Sequence, residues 1–357
     1  MPAQFHSDPR AVLPSDPPFD PGFDPPREPR FQSTYRAPRW LPGAHLQTIY
    51  PATCLPKPAV HYRRERWTAP DDDFIDLDFV DGTPGRPFVV LFHGLEGSSD
   101  SHYARSLMAL VTRRGWGGAV VHFRGCSGQA NLQPRFYHSG DAAEIDWILR
   151  RLRASTPARA ARRFHAVGVS LGGNALLRWL GESGQDAEIV DAACAISAPL
   201  DLAAGGAALS RGANLLYTRM FLQTLKVKCL AKLAQFPDLF DRDAMLRARN
   251  LHEFDDIVTA PLHGYRDADD YWNRASARHV IGDITVPTLV LNARNDPFLP
   301  AHHLPTSAAS CVVLDYPAEG GHVGFTAGPF PGSLAWLPRR ILHFLDRDNP
   351  IDEAPDG

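Results

Sequence analysis

The chain has 357 residues, 44% of them hydrophobic and 22% charged, with a formal net charge of −3. That balance is ordinary for a globular protein and excludes a strongly basic binder of nucleic acid or of anionic membrane. No apolar run approaches the roughly 18–20 residues that span a bilayer, and the scattered Cys54, Cys126, Cys194, Cys229 and Cys311 lack any C-x-x-C pair. Those thiols predict a reducing, cytoplasmic compartment and no structural zinc.

In chain order, the first thirty residues carry nine prolines and no continuous apolar core. They predict a disordered arm over 1–36, with a similar tail at 349–357, around one folded body at 37–348. Two strand-like segments, 62–68 and 74–80, flank an Asp-rich turn at 71–73 and read as an antiparallel start to a sheet. Strand 87–92 follows, and then His93-Gly94-Leu95-Glu96-Gly97. A helix is predicted over 101–114, a strand over 118–122 and a helix over 141–153. Between the last two lies a polar loop with Arg124, Cys126 and Arg135-Phe-Tyr-His138; Arg124 is read as structural, paired with a carboxylate. The strand from Phe164 runs into Gly168-Val169-Ser170-Leu171-Gly172, and a helical pattern covers 174–180. A sixth strand is expected over 190–197. Helical patterns then fill 201–282, with Leu215, Leu216, Phe221, Leu222, Leu225, Leu230 and Leu233 as an apolar stripe. Strands at 287–293 and 311–316 and a helix at 337–345 complete the order.

Strands alternating with helices, and near-continuous apolar strands, predict a mostly parallel eight-stranded sheet with helices on both faces. The interruption at 201–282 predicts a helical cap inserted over the sheet's C-terminal edge. Some of its apolar side chains are expected to wall a pocket.

Strand, G-x-S-x-G, helix is the context of a nucleophile elbow. The turn is so tight that only glycines at 168 and 172 avoid collision, and Ser170 is presented on a strained, exposed bend. A serine hydroxyl needs a base to become a nucleophile, and the base needs an orienting acid. In this fold they follow in the order serine, acid, histidine. Asp296 in Arg294-Asn-Asp-Pro297 and His322 in Glu319-Gly-Gly-His-Val-Gly-Phe325 stand at the ends of the last two strands, the edge where such sites assemble. Asp315 is the rival acid but falls inside a strand. His165 is expected to pack in its strand, and His302 and His303 to be surface or helix-start residues. The N–H groups of Leu171, at a helix N-terminus, and Leu95, after strand three, are the expected oxyanion donors. No metal or other cofactor is called for.

Several of these segments together resemble a known group. They are Trp40-Leu-Pro-Gly-Ala-His-Leu-Gln-Thr48, His93–Gly97, His122-Phe-Arg-Gly-Cys-Ser-Gly128, Tyr137–Gly140, Gly168–Asn174, Glu253-Phe-Asp-Asp256, Asn295–Phe298 and Gly320–Phe325. The chain resembles AB-hydrolase family 4, the bacterial predicted-hydrolase branch of the α/β-hydrolases, over roughly residues 38–346. The resemblance implies the α/β-hydrolase fold, a charge relay on Ser170, Asp296 and His322, and hydrolysis of short- or medium-chain esters or acylglycerols. A small-molecule ester is the implied partner, with no nucleic acid and no transmembrane segment; oligomeric state is not legible. The same triad also serves thioesterases and acyltransferases, and the fold has non-catalytic, ligand-binding forms.

Overall fold

A computed structural model describes residues 35–155, 159–161 and 163–346. The expected arm, apart from residues 35 and 36, and the expected tail lie outside the described residues.

The eight strands form one sheet in the order β1-β2-β4-β3-β5-β6-β7-β8. They are β1 (Arg63–Thr68), β2 (Phe74–Val80), β3 (Phe88–Phe92), β4 (Gly117–His122), β5 (Phe164–Val169), β6 (Ala192–Ile196), β7 (Thr288–Leu291) and β8 (Val312–Asp315). β1 and β2 pair antiparallel, β2 runs antiparallel to β4, and all other pairs are parallel. This is the α/β-hydrolase fold, as expected. Every residue of β3, β4, β5 and β6 is buried, because helices cover both faces of a parallel sheet.

Helical spacing sorts the two layers. In the helix Ala142–Ala154, Ile145, Ile148, Leu149 and Leu152 point into one core, where Leu176, Leu177 and Leu180 of the helix Leu171–Ser183 join them. On the other face Ala104, Leu107, Met108 and Val111 of the helix His102–Arg113 meet Leu337, Ile341 and Leu345 of the helix Trp336–Leu345. Each set is built on steps of three or four residues, the stripe of a helix lying on a sheet. Pro338 falls in the first turn of its helix, where the missing N–H is no loss.

Between β6 and β7 lie the helices Leu202–Leu209, Leu215–Gln235, Arg242–Arg247 and Ala268–Ala275, with a one-turn π segment at Asp255–Thr259. The long helix departs from the predicted stripe. Its buried residues are Tyr217, Thr218, Leu222, Cys229 and Lys232, whereas Leu215, Leu216 and Leu230 are exposed. Buried Lys232 is satisfied by carbonyls: its Nζ donates to Asn131 O at 2.6 Å and Gln133 O at 3.0 Å. The helix Ala44–Thr53 has no counterpart among the predicted elements.

Ile148 is fully buried in the first core. Ile148→Ala is expected to lower the unfolding free energy by about 2–5 kcal/mol through lost transfer energy and an unfilled cavity. Urea denaturation checks this; a change below about 1 kcal/mol would contradict the packing described.

Candidate active site

β5 ends at Val169 and the next helix begins at Leu171, so Ser170 alone makes the turn. Its φ of 53° and ψ of −120° lie where L residues are strained. The neighbouring glycines make the turn possible. A Cβ on Gly168 would stand 2.4 Å from the Gly172 carbonyl oxygen, and one on Gly172 would stand 2.5 Å from those of Phe92 and His93. Neither position admits a side chain.

Ser170, His322 and Asp296 come together although they are far apart in sequence. Ser170 Oγ lies 2.9 Å from His322 Nε2, and His322 Nδ1 lies 2.8 Å from Asp296 Oδ2. A carboxylate only accepts, so Nδ1 carries the imidazole proton and Nε2 is left to accept from the serine hydroxyl. Asp296 Oδ1 accepts from the Phe298 N–H at 2.8 Å, so both oxygens are engaged. The Phe298 ring stacks on the imidazole with centroids 3.9 Å apart. Behind the histidine, the Val323 N–H donates to Ser197 Oγ at 3.1 Å. The Asp296 side chain is 1% exposed and that of His322 is 10%. Asp296 therefore sits dry, where its field is least screened, while His322 reaches the cavity.

The loop after β3 packs directly on the serine: a Cβ on Gly94 would lie 3.0 Å from Ser170 Cβ. Three of its N–H groups are used. Gly94 donates to Tyr103 Oη at 3.0 Å, Glu96 to Tyr137 Oη at 2.7 Å, and Gly97 to Gly94 O at 2.9 Å. Among the described residues, the N–H groups of Leu95 and Leu171 donate to nothing, and both residues line the cavity beside Ser170. His93 takes no part: burial holds it near pKa 3, and its neutral ring bridges Gly94 O and the Phe123 N–H.

The rival residues have other occupations. Asp315 pairs with Arg340 at 2.8 Å. His165 is buried in β5 near Trp116, and burial lowers its pKa to about 4. His302 and His303 lie side by side in the turn Ala301–His303, their rings tilted by 45°, and His303 faces Asp201. Arg124 is buried among Glu144, Asp73 and Asp71, at 2.6, 2.8 and 2.9 Å. Burial pushes the Cys126 thiol up to about 11, which leaves no reactive thiolate.

Ser170 and His322 open into a cavity of about 140 Å³. Leu202, Leu209, Phe221, Leu225 and Trp272, all from the segment between β6 and β7, form much of its wall. Polar features are few. Lys228 Nζ meets Glu96 at 2.7 Å, joining the long helix to the loop after β3. Asp255 accepts from Thr259 Oγ1 at 2.6 Å and Trp272 Nε1 at 2.8 Å. Sequence reasoning missed the supports: Ser197, Phe298, Tyr103 and Tyr137. Nothing local marks these roles: Ser197, Tyr103 and Tyr137 act on other segments, and Phe298, which also bonds Asp296 two residues away, stacks on His322 from another loop.

Comparison with known proteins agrees with the fold. Residues 87–324 match the family model described as alpha/beta hydrolase fold. YheT of Escherichia coli, named as a candidate esterase, is 38% identical over 86% of this chain and 91% of its own. The phospholipase ABHD3 of Mus musculus is 30% identical over 89% of this chain and 79% of its own. The monoacylglycerol lipase of Saccharomyces cerevisiae is 27% identical over 79% and 63%. Among solved structures, an esterase from Pyrococcus furiosus superposes with a TM-score of 0.50 at 15% identity, over 80% of this chain and 90% of that one. The chain belongs to the α/β-hydrolase family and is a hydrolase enzyme.

Burial raises the Asp255 carboxyl to about 6, against the smaller opposing pull of its Thr259 and Trp272 hydrogen bonds. A carboxyl with a raised folded pKa favours the folded state most below its unfolded pKa, and that advantage is lost as pH rises through about 6. Asp255→Asn removes this titration. Its stability relative to wild type is expected to improve by about 2 kcal/mol between pH 4 and pH 8. Denaturant midpoints at the two pH values test it, and an unchanged difference would refute the buried-carboxyl reading.

Proposed function

We propose that this protein is a serine carboxylic-ester hydrolase of the AB-hydrolase family 4 branch, acting on short- or medium-chain esters or acylglycerol-type substrates. The observation that carries the reading is the Ser170–His322–Asp296 chain of hydrogen bonds, 2.9 and 2.8 Å, opening into an apolar cavity. The named relatives support the same class: a candidate esterase, a phospholipase and a monoacylglycerol lipase.

In this reading Ser170 Oγ attacks the ester carbonyl while His322 Nε2 takes its proton. Asp296 holds the imidazole in the required tautomer and stabilises its charged form. The Leu95 and Leu171 N–H groups, which have no partner among the described residues, receive the oxyanion, helped by the N-terminal dipole of the helix Leu171–Ser183. His322 then protonates the departing alcohol. Water, activated by the same histidine, releases the acid from the acyl-enzyme. The residues 201–282 form a cap within a hydrolase domain at 37–348, and Leu202, Leu209, Phe221 and Leu225 shape the acyl or alcohol site. We assign the protein to the cytoplasm, in keeping with cysteines that form no disulfide among the described residues.

The test is hydrolysis of p-nitrophenyl esters from acetate to palmitate by wild type and Ser170→Ala. Wild type should cleave them, with an optimum at short or medium acyl length. The variant should lose about 10⁶-fold in kcat while melting as wild type does. Undiminished turnover by a folded Ser170→Ala protein, freed of contaminating esterase, would remove Ser170 from the mechanism.

A further inference from the structure

The segment Trp40–Thr48 has no task in the chemistry above, yet the helix it enters, Ala44–Thr53, touches both loops that carry the acid and the base. Gln47 is 1% exposed. Its Oε1 accepts from the Asn295 side-chain amide at 2.8 Å and from the Gly320 N–H at 2.9 Å. Its Nε2 donates to Leu41 O at 3.0 Å and Glu319 Oε1 at 3.2 Å. Thr48 Oγ1 accepts from the backbone N–H of His322 itself at 2.9 Å and donates to Ala44 O at 2.8 Å. Asn295, the residue before Asp296, closes the set by accepting from the Gly321 N–H at 3.0 Å.

The approach is tight at the level of backbone. A Cβ on Gly324 would stand 1.8 Å from Gln47 O, and one on Gly321 would stand 2.7 Å from Thr48 Oγ1. Gly321 and Gly324, on either side of His322, are therefore spaces for this helix.

Physical chemistry gives the arrangement a purpose. Asp296 and His322 leave different strands, β7 and β8, and each stands on irregular backbone. Neither loop by itself sets the separation between carboxylate and imidazole. A single amide that receives one hydrogen bond from each loop does so. Glutamine suits the place because it accepts on one side and donates on the other without charge. A carboxylate there would have no proton for Leu41 O and would face Glu319 directly. Full burial makes each lost bond costly, which stiffens the link.

We propose that Gln47 and Thr48 are positioning residues: they join the acid loop to the base loop and hold His322 in register with Asp296 and Ser170. The proposal rests on the esterase reading above. Neither residue lines the cavity, so both act on the reacting groups without touching substrate. His45, two residues earlier, extends the same brace to the long helix, with its Nδ1 3.1 Å from Tyr217 Oη.

The test compares Thr48→Val, Thr48→Ser and Gln47→Leu with wild type and Ser170→Ala on the best p-nitrophenyl ester. Thr48→Val keeps the branched shape and removes the acceptor for the His322 N–H. It should lower kcat by about 10²-fold with KM held within about threefold, since a displacement near 1 Å is enough for such a loss. Labelling of Ser170 by a fluorophosphonate should slow by a similar factor. Thr48→Ser, which keeps the hydroxyl, should recover kcat to within about threefold of wild type. Gln47→Leu, of similar volume, should repeat the kcat loss by cutting the link to Asn295 and Gly320.

Wild-type kcat in either folded variant would overturn the proposal, as would a rise in KM alone. Failure of Thr48→Ser to recover activity would overturn the role of the hydroxyl. If Thr48→Val and Gln47→Leu both fail to fold, the segment is a stability element and the proposal falls. Retained activity in Ser170→Ala would instead defeat the esterase reading, so the two failures are separable.

Discussion

The bend at Ser170 depends on missing atoms. With Gly172 only 2.5 Å, measured from where a Cβ would be, from the carbonyl oxygens of Phe92 and His93, the helix after β5 can lie almost in contact with the end of β3. That closeness brings the β3 loop within 3.0 Å of the serine, by the same measure at Gly94. One steric constraint thus places the serine, the Leu171 N–H and the Leu95 N–H in one corner. The strain it imposes on Ser170 is borne by the parallel sheet beneath, whose central strands are buried throughout.

The partners of the serine are held in a different way. Asp296 and His322 depend on hydrogen bonds that cross from one chain segment to another: Ser197 to Val323, Thr48 to His322, and Gln47 to Asn295 and Gly320. The serine's position is set by steric exclusion at glycines, that of Asp296 and His322 chiefly by polar ties between segments remote in sequence. A second buried polar system lies under the other rim. Asp73 and Arg124 anchor the loop after β4, which delivers Tyr137 to the Glu96 N–H. Its charges are compensated by partners at 2.6–2.9 Å, as burial requires.

Much of this order is legible in the linear chain where spacing is local. The stripe Ile145, Ile148, Leu149 and Leu152 announces a helix, and the apolar runs of β3 and β5 announce buried strands. Boundaries blur where local turns intervene. Val190 was expected in the sixth strand, but its N–H bonds back to Ala187 O and the strand starts at Ala192. The helix after Ser170 starts three residues earlier than its apolar pattern, because Gly172 and Gly173 carry no periodic signal. In the long helix, periodicity named leucines, yet the buried face includes Lys232, which is tolerable only because carbonyls from a distant loop converge on it. The helix Ala44–Thr53 escaped because its buried face is Gln47, Thr48 and Pro51, with no apolar stripe to read.

The sequence by itself determined the strand order of chemistry along the chain. A glycine-flanked serine follows one strand, an aspartate follows another and a histidine the last, because steric clearance and strand-end placement are properties of neighbouring residues. Only the tertiary structure decided that His322 Nδ1 and Nε2 lie within hydrogen-bond reach of Asp296 and Ser170 at once. It alone decided which donors stay free around the serine, and which helices close the cavity. Those outcomes depend on distances between segments remote in sequence, set by packing and by cross-chain hydrogen bonds that no local pattern encodes.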